Sequence, residues 1–193
     1  MLGVKEYAIK HIIYIFMALM LQSCIVMKEE YYFPSANGGN VQKESCRGKV
    51  GADNKLAFDW DGVRAIFSVR KFGAALSFGA TFEISTGSSV IWPTQVITVK
   101  TELGKTELSF DSFEKIVSYG DDFKTASYPL DTLLKNDTKK EVESYFQSVN
   151  LPTDSVEQIE VESIRVIVNG QEITLPKMRF EKTSGLFLHP LNC

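Results

Sequence analysis

Histidine is nearly missing from this 193-residue sequence: only His11 and His189 occur. A Ser-His-Asp triad or a histidine-bound zinc site would have to be built on one of them. No Gly-x-Ser-x-Gly nucleophile elbow accompanies either. A phosphate-cradling loop is also lacking, because Gly87-Ser88-Ser89 has neither the lysine nor the following helix such a loop needs. There is no basic excess. Lys and Arg number 21 against 24 Asp and Glu, a formal net charge of −3, and nucleic-acid binding would need a basic face. Asp53, Asn54, Asp59 and Asp61 do not match the spacing of an EF-hand loop, and Asp61-Gly62 is explained by a turn. Asp121-Asp122 reads as a solvated pair beside Gly120. These absences predict a protein that is not an enzyme, with no cofactor and no metal site.

What is present begins with an N-terminal leader. Lys5 and Lys10 supply positive charge, Ile12 to Leu21 is an unbroken apolar run, and Gln22-Ser23-Cys24 follows. Ten helical residues reach only about 15 Å, roughly half the hydrocarbon thickness of a bilayer. The run is therefore short for a stable membrane span. An uncleaved anchor over residues 11–27 would carry Gln22 and Ser23 into the membrane.

Residues 1–24 resemble a bacterial lipoprotein signal peptide, with Leu21-Gln22-Ser23-Cys24 as the lipobox. Leu21 and the small Ser23 fit that family's pattern; Gln22 is less usual at its position. The resemblance implies cleavage between Ser23 and Cys24, diacylglycerol on the Cys24 sulfur, and often a further fatty acid such as palmitate on the new amino group. A thiolate is the nucleophile that can take the lipid. One acyl chain binds a membrane only marginally, so two or three are needed for a lasting hold. Position 25 is Ile rather than Asp, which by the same resemblance implies the outer membrane, facing the periplasm. The alternative is an ordinary secretory signal with an incidental Cys24.

Without residues 1–23 the chain loses Lys5, Lys10 and Glu6, a net +1, so the remainder stands at −4. Electrostatic attraction to an anionic membrane is then excluded and a lipid must do the anchoring. An exported chain meets oxidising conditions, and with Cys24 lipidated the remaining pair is Cys46 and Cys193. A Cys46–Cys193 disulfide would close nearly the whole domain, worth about 5 kcal/mol on chain entropy alone.

Residues 24–45 read as a tether, holding Lys28, Glu29 and Glu30, then Tyr31-Tyr32-Phe33, then Pro34, Gly38 and Gly39. The aromatic triplet is too apolar for a pure linker, which predicts docking on the domain. Residues 46–193 read as one domain in which period-two patterns dominate. Val63, Ala65, Phe67 and Val69 alternate with Arg64, Ile66, Ser68 and Arg70, and Leu76, Phe78, Ala80, Phe82 and Ile84 alternate with Ser77, Gly79, Thr81 and Glu83. Asp61-Gly62 and Asn169-Gly170 are hairpin signals. Further strands are expected at 90–92, 95–102, 106–110, 113–119, 172–175, 178–181 and 186–189.

One helix is expected, over residues 139–149. Thr138 and Glu141 have capping-box spacing, and Val142, Tyr145, Phe146 and Val149 recur at helical period. Ile159 and Val161 share one parity while Ile164, Val166 and Val168 share the other, which predicts a bulge near Glu162-Ser163. Trp60 and Trp92 read as core aromatics, with a sugar- or partner-binding platform as the alternative.

Many short strands with Gly, Asn and Asp turns imply a mainly β fold, an antiparallel β-sandwich. The globular part resembles small envelope lipoproteins with an immunoglobulin-like sandwich, a likeness of architecture that transfers no active site. The functional expectation is a lipid-anchored envelope protein with a non-enzymatic binding or structural role toward another envelope protein. The alternatives are an inhibitor or immunity-type lipoprotein against an exported toxin or hydrolase, and a carbohydrate-binding or hydrolytic module.

Overall fold

Alternation of apolar and polar side chains settles which face of each strand is buried. The computed structural model describes residues 25–44, 50–94, 96–118, 124–138 and 140–189. The described residues form strands, turns and loops and no helix, and every strand pair is antiparallel. Among the described residues, sixteen strands lie in three sheets.

The five-stranded sheet contains β1 (Ile25–Ser35), β16 (Met178–His189), β13 (Gln158–Val161), β7 (Val96–Thr101) and β8 (Gly104–Ser109), in that order. The seven-stranded sheet runs β10 (Lys124–Pro129), β9 (Ser112–Ser118), β12 (Val142–Asn150), β5 (Ala75–Ser85), β4 (Val63–Phe72), β3 (Asp53–Trp60) and β2 (Asn40–Lys43). The four-stranded sheet is β11 (Leu134–Lys135), β6 (Ser89–Ile91), β14 (Ile164–Val168) and β15 (Gln171–Leu175).

Both hairpin signals hold. Asp61 and Gly62, at φ 20° and 79°, join Trp60 to its partner Val63. Asn169 and Gly170, at φ 50° and 82°, join Val168 to Gln171. Positive φ at both central residues matches the twist of the flanking strands.

Aromatic side chains tie the sheets together. Phe78 of the seven-stranded sheet meets Phe180 of the five-stranded sheet edge to face, centroids 6.0 Å apart. Trp92, just after β6, contacts Phe67 at 6.3 Å and Phe82 at 5.8 Å. It also meets Phe110 at 5.7 Å and Phe113 at 5.8 Å. Such pairs add about 0.5–1.5 kcal/mol each beyond the area they bury.

Three expectations change. The helix over residues 139–149 is strand β12, paired with β5 through nine consecutive positions from Val142–Ser85 to Asn150–Ser77. The Thr138 hydroxyl accepts from the Lys140 amide two residues on, in a local turn, rather than capping a helix. Buried Asn136 fixes that turn, donating to the carbonyls of Ile84 and Lys140 and accepting from the Thr138 amide. Tyr145 and Val149 suit either period; partners on β5 decide for the strand.

The change of parity after Val161 is met not by a bulge but by a change of sheet. β13 lies in the five-stranded sheet and β14 in the four-stranded one, so each keeps its own buried face. Within the segment expected as a tether, residues 25–35 form β1 and 40–43 form β2. β1 pairs with β16 along its whole length, and Tyr32 is buried, its hydroxyl donating to the Val156 carbonyl at 2.7 Å.

Candidate functional site

The outward face of the seven-stranded sheet carries an open groove of about 580 Å³. Strand pairing sets its contours row by row. Ser148 pairs with Gly79, Gly79 with Ser68, and Ser68 with Lys55, so the central row carries only small side chains as far as Lys55. One flanking row is Phe146–Thr81–Ile66. The other is Asn150–Ser77–Arg70, in which the Ser77 hydroxyl donates to Asn150 Oδ1 at 2.7 Å. Alternate residues of a strand stand about 7 Å apart, so the flanking rows form two walls about 14 Å apart with a low floor between them.

Charge sits at both ends of the groove. Lys55 and Arg70 stand at one end, and both pair with Glu44, at 2.8 and 2.7 Å. Glu44 is buried, and two cations on one carboxylate offset its desolvation. Arg70 Nε is buried without a hydrogen-bond partner. Glu114 on β9 lies at the other end, and Glu83 on β5, 3.8 Å from Arg64, lies beyond the Thr81 wall. The two basic and two acidic residues of the lining balance. Among the described residues, the hydroxyls of Ser68, Thr81 and Ser148 make no hydrogen bond within the protein.

A second polar cluster is buried on the inner side of the same sheet. Lys115 of β9 donates to the Glu143 carboxylate of β12, and both are almost fully enclosed. Tyr145 receives the Lys115 ammonium over its ring at 5.3 Å and donates its hydroxyl to the Lys135 carbonyl. Burial works to raise the Glu143 carboxyl; the hydrogen bond from Lys115 and help from Thr138 and Lys140 outweigh it and hold it below the usual carboxylate range. Burial works to lower Lys115, and its bond to Glu143 outweighs that, leaving it above the usual lysine range. The pair is therefore fully ionised at neutral pH. No described cavity opens on it, so it reads as a structural clamp between β9 and β12.

The residues singled out by sequence fall in three groups. Ser23, Cys24, Cys46 and Cys193 lie outside the described residues. β1 starts at the residue after Cys24, and β16 ends four residues before Cys193, with Ile25 opposite His189 in the register. Trp92 is 1% exposed, and its indole donates to the Thr94 carbonyl. It is core and cannot serve as a platform. Trp60 is half-buried, stacked on Phe58 at 5.8 Å. It lines a smaller cleft of about 330 Å³ with Asp59, Arg64 and Glu83. Asp59 is taken by Arg64 at 2.6 Å, and Asp61 occupies the hairpin turn. Among the described residues no group of three or more His, Cys, Asp or Glu side chains could hold a metal.

Sequence reading missed the groove. Its walls come from strands far apart in the chain, and one of them, β12, had been assigned to a helix. No family model, no curated protein and no solved structure matches this chain.

Proposed function

We propose that this chain is a lipid-anchored envelope protein whose folded part is an immunoglobulin-like β-sandwich with a non-enzymatic binding role. The leader over residues 1–24 supports export, cleavage between Ser23 and Cys24, and acylation of Cys24. The observation that carries the reading is the position of β1. It begins at Ile25 and is paired with β16 from its first residue to its last. A lipid on Cys24 would thus hold a folded body against the bilayer without a flexible spacer. The three sheets packed around one aromatic core support the sandwich. The groove on the outward face supplies a surface for recognition. A Cys46–Cys193 disulfide is part of the same reading, joining the loop after β2 to the chain end after β16.

Metabolic labelling with a palmitate analogue tests the anchor. Wild-type protein is expected to take the label and sediment with membranes, and Cys24→Ser to do neither. A Cys24→Ser product that is still trimmed and membrane-bound overturns the anchor. Thiol alkylation without reductant tests the bridge, with both Cys46 and Cys193 expected to resist modification.

A further inference from the structure

Gly79 occupies the middle of β5, an interior strand, with hydrogen-bonded neighbours on both sides. Glycine there costs strand stability and offers nothing to pack. The fold does not require it. Gly79 does not have a positive φ, and an added Cβ would find only ordinary contacts, Ser68 Oγ at 3.5 Å and the Gln147 carbonyl at 3.6 Å. A Cβ would fit, and it would begin to fill the floor of the groove. A glycine that neither backbone nor packing demands marks a place where another molecule approaches the strand closely.

We infer that the groove is a binding site for an uncharged linear glycan, lying across the strands on the floor made by Ser148, Gly79 and Ser68. This deepens the binding half of the reading above and does not depend on the lipid at Cys24. The chemistry of the lining selects the ligand class. A polyanion would meet Glu83 and Glu114, and a polycation would meet Lys55 and Arg70. A peptide adding itself as a strand would find no free edge at the floor, because β5 and β4 are each paired on both sides along it. What remains is a neutral solute rich in hydroxyls. Ser68, Thr81 and Ser148 present hydroxyls that make no hydrogen bond within the described protein and are open to a ligand. Phe146 and Ile66, facing each other across Thr81, offer apolar surface for the C–H faces of sugar rings. From β9 to β3 the groove crosses five strands, about 19 Å, which suits a short chain of rings rather than one monosaccharide.

The test is calorimetric titration of the full chain in detergent with cellotetraose, maltotetraose and chitotetraose. Tetragalacturonate serves as the charged control. At least one neutral probe is expected to saturate, with the charged control weaker. Gly79→Val fills the floor and is expected to weaken binding about tenfold or more by displacing the ligand, at an unchanged or raised unfolding temperature. Thr81→Val removes one hydroxyl at constant shape and is expected to weaken binding about fivefold. Saturation by none of the neutral probes, tighter binding of tetragalacturonate, or wild-type affinity in Gly79→Val each overturns the site. Repeating the titration on Cys24→Ser separates the two proposals. Glycan binding retained by a chain that is never lipidated leaves the groove standing without the anchor.

Discussion

The two faces of β5 obey opposite rules. Toward the core it presents Leu76, Phe78, Ala80, Phe82 and Ile84, all at most 1% exposed. Away from the core it presents Ser77, Gly79, Thr81 and Glu83, which form floor and walls of an open groove. One face fills space, and the other leaves space empty. Period-two geometry lets the same eleven residues do both, and it lets the two faces be changed independently.

The largest effect is expected on the inner face. Phe78→Ala removes a ring that touches Phe67, Phe110 and Phe180, and should cost about 5 kcal/mol, the top of the range for such truncations. Denaturant unfolding measures it; a loss below about 2 kcal/mol would mean the core collapses to fill the hole. Next comes the buried ion pair. Lys115→Met leaves the Glu143 carboxylate enclosed without its cation and should cost about 3–4 kcal/mol. The double change Lys115→Met with Glu143→Leu should recover most of that loss. If it does not, the pair holds β9 and β12 by more than charge compensation.

A pH titration of stability follows from the same pair. The Glu143 carboxyl is lowered in the folded state, so its contribution is complete above about pH 4.3, the unfolded value, and is lost as pH falls through the folded value. Lys115 is raised, so its contribution is complete below about pH 10.4 and is lost as pH climbs through the folded value. Unfolding midpoints from pH 7 down to 3 should fall in wild type and flatten in Glu143→Gln. An identical slope in both would assign the acid sensitivity to other carboxylates. The smallest effect belongs to the outward surface beyond the groove. Arg64→Ala breaks a pair with Asp59 in which both side chains are nearly half exposed, and should cost less than about 1 kcal/mol.

Sequence revealed the inner face better than the outer. The alternation in β4 and β5 and the turns at Asp61-Gly62 and Asn169-Gly170 are local signals, readable within ten residues. β12 was not readable in that way. Tyr145 and Val149 fit a helical stripe as well as a strand, and Glu143 gave no hint that it was an inward residue. Only its partner Lys115, 28 positions earlier, makes a buried carboxylate there tolerable. Losing β12 also hid the groove, since the row Phe146–Thr81–Ile66 exists only once β12, β5 and β4 are aligned. The mainly β class was legible because it sums many local patterns. The site was not, because it depends on register between distant strands.

The pairing of β1 with β16 constrains the order of events in the cell. Residues 25–35 find their partner only when residues 179–189 exist, so β1 must stay unmatched until β16 has been made. Closing that seam is an event of long sequence separation, slow by its topology, and it leaves a sticky edge open in the meantime. A product shortened by a dozen residues at its tail would strand its own beginning.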